Sequence, residues 1–216
     1  EVAEQAIVTV CYACNKQVDW LAGRGYNMIA VTAAVIYKGQ KEQLTGSYSL
    51  AIWENLTDPI LAGREVQGLP KVYADIPDHT ITKNEWRCDA SHCGHNIVDL
   101  SINNLNPVSP EDVAAAQKAG QGNDHSMTWR YLPAAGGFGK ASVDEAVTYP
   151  SEDIFTEVLV GQGSINWHKS SWEQNPTQYQ MVNALEALPV LEYLPAVVTK
   201  GSTNLSLPER WTRTLT

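Results

Sequence analysis

The chain has 216 residues, a formal net charge of −9 and a pI near 5.0, with 44% hydrophobic and 18% charged residues. This length can bury a large core, and the composition excludes an intrinsically disordered chain. Lysine and arginine are scarce and form no basic block. Their scarcity argues against binding of nucleic acid and against docking on an anionic membrane surface.

No stretch of the sequence approaches 18 uninterrupted apolar residues, so we predict no membrane-spanning helix. The chain begins at Glu1 rather than Met, and any targeting segment would precede it. Two N-x-S/T sequons occur, at Asn55 and Asn204, but such triplets also arise by chance. We expect a cytoplasmic location, with secretion left open by the sequons and the missing start.

The first predicted strand covers residues 7–14 and contains a C-x-x-C pair, Cys11 and Cys14. An odd separation on a strand sends the two sulfurs to opposite faces, which disfavours a zinc knuckle. No helix follows the pair, as a thioredoxin-like motif would require. Including Cys88 and Cys93, three interpretations stay open: buried unreactive thiols, a Cys88–Cys93 disulfide, or a metal site. We favour the first and expect no metal.

Further strands follow in the first half of the chain. Residues 29–37 and 47–53 are rich in β-branched and aromatic residues, which are typical of strands. Residues 97–102 alternate apolar and polar side chains, as a half-buried strand does. Residues His92 to His95 are predicted to form a turn.

One helix is clearly indicated after these strands. Ser109 is suited to the N-cap and Pro110 to the first helical position, and two acidic residues follow at the positive end of the helix dipole. The helix should run to about Ala119, where Gly120 ends it.

Strands are predicted again at residues 127–132 and 155–160, and a second helix at residues 178–188. The glycine-rich residues 136–140 lack the spacing of a phosphate-binding loop and predict a hairpin turn instead. Many strands, a helix, more strands and a helix indicate an α+β fold that is mainly antiparallel β.

Residues 58–72 read Asp-Pro-Ile-Leu-Ala-Gly-Arg-Glu-Val-Gln-Gly-Leu-Pro-Lys-Val. An apolar segment, predicted as a strand, leads into Gly63, the adjacent charges of Arg64 and Glu65, and then Lys71 in apolar company. Imine formation needs a neutral amine, and an ordinary lysine is neutral only about 0.04% of the time at pH 7. Desolvation by apolar neighbours raises that fraction. Lys71 is therefore a candidate nucleophile.

This segment resembles the Gly-Arg-Glu…Pro-Lys signature of the acetoacetate decarboxylase superfamily. Residues 46–53 are similar to the family's preceding strand in length and pattern, and looser likeness extends to residues 188–193 and to Leu215. The resemblance implies one domain over residues 1–216, without the N-terminal part of the family domain. It also implies curved antiparallel sheets closed into a double-cone β-barrel with a few helices.

The same resemblance implies chemistry and partners. Lys71 would form a Schiff base with a small keto-acid substrate, without a cofactor, in a homo-oligomer. Glu65 would move protons, and Arg64 would neutralise a substrate carboxylate or pair with Glu65. The family is itself the standard example of a lysine activated by a neighbouring cation.

Two departures from the family pattern bear on the reaction. Val72 stands where the decarboxylases carry a second lysine, and Met28 falls where they carry a carboxylate-handling glutamate. A family arginine would lie upstream of this chain, which makes Arg130 the candidate partner of a substrate carboxylate. Such changes would keep imine chemistry while altering the expulsion of CO2, as in an aldolase-dehydratase branch. The alternative is a non-catalytic ligand-binding or assembly protein on the same fold.

Overall fold

Most of the chain lies in strands that form two sheets. The computed structural model describes residues 7–120, 125–137, 139–149, 152–204 and 213–215. The strands of the first sheet are β1 (Val8–Asn15), β2 (Tyr26–Lys38), β3 (Gln43–Glu54), β4 (Lys71–Tyr73), β8 (His125–Pro133), β9 (Ala141–Tyr149) and β12 (Arg213–Thr214). Their order is β1-β2-β3-β8-β9-β12, and β4 also pairs with β3.

The second sheet contains five strands. They are β5 (Thr80–Ile81), β6 (Glu85–His92), β7 (His95–Pro107), β10 (Glu152–Trp167) and β11 (Ala196–Asn204). They pair antiparallel in the order β11-β10-β7-β6-β5. In the first sheet, only the pairs that β3 makes with β4 and with β8 are parallel.

Helices are few and short in the described residues. They are α1 (Thr57–Ala62), α2 (Pro110–Gly120) and α3 (Tyr179–Glu186), with a 3-10 turn at Asp19–Leu21 and a π-helical turn at Gly63–Gln67. Within the residues described, none of these helices has both the length and the apolar character needed to cross a membrane.

The main core joins the two sheets to α3. Alternate residues of β2 and β3, including Ile29 and Trp53, face Trp86 and Ile97 of the second sheet, and Val182 of α3 is fully buried among them. Because side chains alternate across a strand, the other residues of β2 and β3 face away from this core. That second face is where the motif residues lie.

These observations confirm the α+β class with mainly antiparallel strands. The predicted strands at 29–37, 47–53, 97–102, 127–132 and 155–160 all lie within observed strands, and both predicted helices are present. The N-cap of α2 is confirmed, since the Asp112 amide donates to Ser109 Oγ at 3.2 Å. The described strands pair into two sheets, and closure into a double-cone barrel stays a prediction.

One predicted element is wrong. The apolar residues 60–62 form the end of α1 rather than a strand. Pro59 explains the difference, because proline fits the first turn of a helix, where its missing N–H is not needed. The stretch is also too short for periodicity to separate a strand from a helix.

The cysteines differ in part from expectation. All four are free, so the Cys88–Cys93 disulfide is absent. Cys88 is buried in β6, whereas Cys93 lies exposed in the two-residue turn between β6 and β7, which confirms the predicted turn there. Cys11 is exposed as well, so burial holds for Cys88 alone. Positive φ angles at Cys93 (53°) and Gly94 (77°) match the hairpin turn that fits the strand twist.

Trp53 connects β3 to α3, and its replacement provides a test of the core. Its indole Nε1 donates to Gln178 Oε1 at 2.7 Å, and its side chain is fully buried. We expect Trp53→Phe to lower the free energy of unfolding by about 2–4 kcal/mol, through the cavity and the unpaired Gln178 oxygen.

Urea denaturation measures this effect, with Trp172→Phe as the matched control. Trp172 is 61% exposed, so its replacement should change stability by less than about 0.5 kcal/mol. Equal effects of the two substitutions would contradict the assigned role of Trp53.

Candidate active site

Lys71 begins the three-residue strand β4 and is buried, with 7% of its surface exposed. In the parallel pair of β3 and β4, Ile52 lies opposite Lys71 and Glu54 lies opposite Tyr73. Residues two apart on a strand share a face, so Glu54 and Ile52 point to the same side as Lys71. The fold thus brings the last residue of β3 to the motif lysine.

Glu54 and Lys71 form a buried ion pair. Lys71 Nζ lies 2.7 Å from Glu54 Oε1, and the exposed fractions of the two side chains are 8% and 0%. The approach is not that of an ideal hydrogen bond, and neither Glu54 oxygen has a well-oriented donor among the described residues. Lys71 Nζ also donates to the Pro59 carbonyl oxygen at 3.1 Å.

The electrostatics of this pair are set first by burial. Burial raises the pKa of the Glu54 carboxyl, and the nearby Lys71 charge opposes that rise only in part. Burial, together with the charge of Glu54, raises the pKa of Tyr26 to about 12. A proton on the Glu54 carboxyl is therefore easier to hold here than in water.

The lysine side chain occupies space that Gly63 leaves open. A Cβ on Gly63 would lie 2.6 Å from Lys71 Cε and 2.8 Å from Nζ. Gly63 begins the π-helical turn that follows α1, and such turns often occur at functional sites. The glycine of the motif is thus needed for close approach rather than for an unusual backbone angle.

Arg64 and Glu65 do not pair as expected. The described residues contain no ion pair between them; instead Arg64 Nη1 donates to the backbone oxygen of Lys71 at 2.9 Å. Adjacent residues in a helical turn point in different directions, which explains why they do not meet. The Glu65 residue is exposed, and its backbone oxygen accepts from Arg130 Nε at 3.0 Å.

Arg130 lies on β8 against this same turn. Its guanidinium also pairs with Glu145 on β9, at 3.1 Å from Nη1 to Oε1, and its side chain is 27% exposed. Gly68 allows the approach, since a Cβ there would lie 2.5 Å from Arg130 Cα. The structure therefore brings Arg130 to the motif through the backbone of Glu65.

Met28 lies beside the ion pair. It is the direct partner of Glu54 in the antiparallel pair of β2 and β3, and it packs against a small buried apolar cluster. The members of that cluster are Ala30, Ile52, Leu69 and Tyr149. This cluster gives the lysine an apolar surrounding, as the sequence around Lys71 suggested.

Glu54 was missed in the sequence analysis, although a signal was present. Glu54 is the last residue of β3, a strand with apolar residues on both faces. It lies two positions after Ile52 and therefore on the same face. A charge that continues a buried strand face is unusual and needs a partner. The partner could not be named from the sequence, since the parallel pairing of β3 with β4 is not visible there.

No group of three or more His, Cys, Asp or Glu side chains that could hold a metal ion occurs within the described ranges.

Val72, the neighbour of the lysine, packs against the main core, on the opposite face of β4. A long side chain at position 72 would therefore point away from Lys71.

The buried lysine ends a Gly-Arg-Glu…Pro-Lys segment, and a comparison with protein-family models covers this segment together with most of the chain. A model of the family described as Acetoacetate decarboxylase (ADC) matches residues 1–205. The chain belongs to the acetoacetate decarboxylase family. This membership confirms the resemblance seen in the sequence. A separate comparison with curated proteins gave no match.

Solved structures of the acetoacetate decarboxylase fold are similar to this chain. Acetoacetate decarboxylase from Legionella pneumophila subsp. pneumophila str. Philadelphia 1 is 15% identical, with a TM-score of 0.65, over 89% of this chain and 68% of that one. An acetoacetate decarboxylase-like enzyme from Sphingomonas wittichii RW1 is 15% identical, with a TM-score of 0.59, over 87% and 72%.

The enduracididine biosynthesis enzyme MppR, solved in complex with pyruvate, is also similar. It is 14% identical, with a TM-score of 0.55, over 90% of this chain and 68% of that one. At these identities the likeness establishes the fold alone.

Gly63→Ala tests the space that the lysine needs. The backbone at Gly63 is helical, with φ of −68°, so alanine fits the backbone, but its Cβ would meet Lys71. We expect Lys71 Cε to retreat to about 3.5–4 Å from the new Cβ. Because Lys71 is buried in its ion pair with Glu54, this displacement should lower the free energy of unfolding by about 1–3 kcal/mol.

A crystal structure and a urea titration of the variant check both statements. Gly137→Ala is the control, since its Cβ would lie 3.3 Å from Lys140 Cβ, in the β8–β9 hairpin. An unmoved Lys71 in the Gly63 variant would contradict the close packing described.

Proposed function

We propose that this member of the acetoacetate decarboxylase family is a lyase that acts on a small keto acid through a Schiff base at Lys71. The observation that carries the proposal is the burial of the Lys71 amine, in an ion pair with Glu54, at the end of the motif. A buried lysine without a role is costly, because its charge must be removed from water. The family membership supports lyase chemistry on this fold.

The chemistry follows from the properties of an imine. Attack of the Lys71 amine on the keto carbon and loss of water would give a protonated imine, which is an electron sink. The sink can accept the electron pair released when CO2 leaves a β-keto acid. It can equally support the enamine of an aldol condensation followed by dehydration.

Two features bear on the choice between these reactions. Val72 faces the main core, so no second cation stands beside Lys71 at the next position. One structural neighbour, MppR, was solved with pyruvate and with the condensation product of pyruvate and imidazole 4-carboxaldehyde. We therefore propose decarboxylation or aldol condensation with dehydration, and the latter is favoured by both features.

Other motif residues receive roles in this proposal. Arg64, through its bond to the Lys71 backbone, holds the start of β4 in place. Arg130 would bind the substrate carboxylate with the part of its guanidinium that faces solvent, and Glu65 would move protons at the mouth of the site. Met28 would supply an apolar contact to the substrate.

Borohydride trapping tests the proposal directly. Incubation with pyruvate or acetoacetate and borohydride should add the reduced keto acid to Lys71, as seen by mass spectrometry of the peptide. Lys71→Arg should lose the adduct and all turnover while the fold survives, because the guanidinium keeps the charge but is not an amine nucleophile. Lys169→Arg, at a lysine with a side chain 65% exposed, is the control and should behave as wild type.

The products then identify the branch. Acetone and CO2 from acetoacetate indicate a decarboxylase, and an unsaturated keto acid from pyruvate and an aldehyde indicates an aldolase-dehydratase. Absence of any adduct at Lys71 would contradict the proposal of an enzyme and favour a non-catalytic binding protein.

We also propose that the chain assembles into a homo-oligomer. Between α3 and β11, residues 188–194 expose a row of large apolar side chains, with Leu191 97% exposed. Exposed apolar patches of this kind mark interfaces. Light scattering at micromolar concentration should therefore give a mass above that of one chain, and Leu191→Glu should lower it; a monomeric wild type contradicts the proposal.

A further inference from the structure

The carboxyl group of Glu54 has no role in the chemistry assigned so far. Its side chain is 0% exposed, and its Oε1 lies 2.7 Å from Lys71 Nζ. A buried carboxylate is costly unless hydrogen bonds and a counter-charge compensate it. Here the compensation is incomplete, because within the described part of the chain neither oxygen receives a well-oriented donor.

The groups near Glu54 come from the two strands that pair with the end of β3. Lys71 approaches from β4, while Tyr26 and Met28 approach from β2. The guanidinium of Arg64 is held on the backbone oxygen of Lys71. Within the described ranges, the titrating group in ion-pair contact with the Glu54 carboxyl is Lys71 Nζ, which is the proposed reacting amine.

We propose that Glu54 is a catalytic acid and base that takes the proton of Lys71 before imine formation and returns it to expel water. This inference rests on the proposed Schiff-base function and names the group that operates it. Burial supports the role, since in a dry site the amine–carboxylic acid form lies closer in energy to the ammonium–carboxylate form than it does in water.

The steps balance in atoms and charge. A proton passes from Lys71 Nζ to Glu54 Oε1, which leaves a neutral amine and a carboxylic acid. The amine lone pair forms a C–N bond with the keto carbon, the C=O π pair moves to oxygen, and a proton moves from nitrogen to that oxygen. The Glu54 carboxylic acid then protonates the hydroxyl group, the C–O bond breaks, and water leaves. An iminium beside a carboxylate remains, so one cation and one anion are present at both ends.

If Glu54 were only a structural counter-ion, its removal would change the rate of imine formation in the opposite direction. If Glu54 only balanced the charge of Lys71, its removal would leave a buried amine without an anion. Burial would then favour the neutral nucleophile, and imine formation at pH 7 would speed up. If Glu54 transfers the proton, its removal slows imine formation by the factor that general acid–base catalysis supplies, about 10²–10⁴. The two roles thus differ in the sign of the effect.

The experiment compares the rate of imine formation in variants by rapid quenching with borohydride. Wild type, Glu54→Gln, Glu54→Asp and a control are mixed with pyruvate or acetoacetate at pH 7, and the adduct at Lys71 is measured over time. We expect Glu54→Gln to slow trapping at least about 100-fold and Glu54→Asp to recover part of the rate. Glu85→Gln is the control, at a partly exposed ion pair with Arg87 on the other sheet, and should match wild type.

Trapping by Glu54→Gln that equals or exceeds wild type overturns the inference while leaving Lys71 as the nucleophile. No adduct in wild type overturns the proposed function itself, and the inference with it. If Glu54→Gln does not fold, Glu54→Asp decides. It keeps the counter-charge but draws the carboxyl back by one methylene, so a rate within threefold of wild type contradicts proton transfer, and a drop of about tenfold or more supports it.

Discussion

The buried pair of Lys71 and Glu54 is the constraint on which the rest of the site depends. Two charges in an apolar interior are tolerated only together, because removal of either partner alone leaves an uncompensated charge that costs about 3–5 kcal/mol. At 2.7 Å the pair fixes the position of the amine beside the carboxyl group. The parallel register of β4 on β3 and the open space at Gly63 both serve this contact.

The first sheet positions the ion pair through parallel pairings along one edge of β3. On one side of β3, the start of β8 pairs with residues 46–48 and β4 pairs with residues 52–54, so two short parallel pairings share one edge. A strand of three residues gains little from its ladder alone. β4 is held instead by the Arg64 contact to its backbone and by the ion pair of its first residue. Lys71 is thus positioned by side chains from the motif as much as by the sheet.

Much of the fold could be predicted from the sequence, because it follows from local patterns. Alternation and β-branched residues indicated β2, β3 and β7, and the Ser109 cap indicated α2. The helix at Thr57–Ala62 was mistaken for a strand, since its apolar run is too short to show a period. Pairing of strands distant in sequence, as of β3 with β8 and of β7 with β10, leaves no trace in composition.

The site was predictable to the same extent. Lys71 was identified from its motif, and its burial agrees with the apolar residues around it. Glu54 was not identified, since its role depends on a parallel pairing between segments 17 positions apart in the sequence. The expected Arg64–Glu65 pair failed for the converse reason: adjacency in sequence does not imply contact on a helical turn. Residue type and spacing therefore indicated the proposed nucleophile, while the ion pair that it forms with Glu54 required the fold.

The closeness of the two side chains has a consequence for solvent. With Glu54 holding the proton, the proposed path from resting enzyme to iminium begins and ends with one cation and one anion in contact. Apart from the carboxylate that the substrate itself carries, these steps add no net charge to the low-dielectric interior, so little reorganisation of water or of protein dipoles is required. When an electron pair later flows into the iminium, the cation disappears and the carboxylate is left alone in the interior. Re-protonation of the site, rather than solvation of an isolated charge, is then the way back to the resting state.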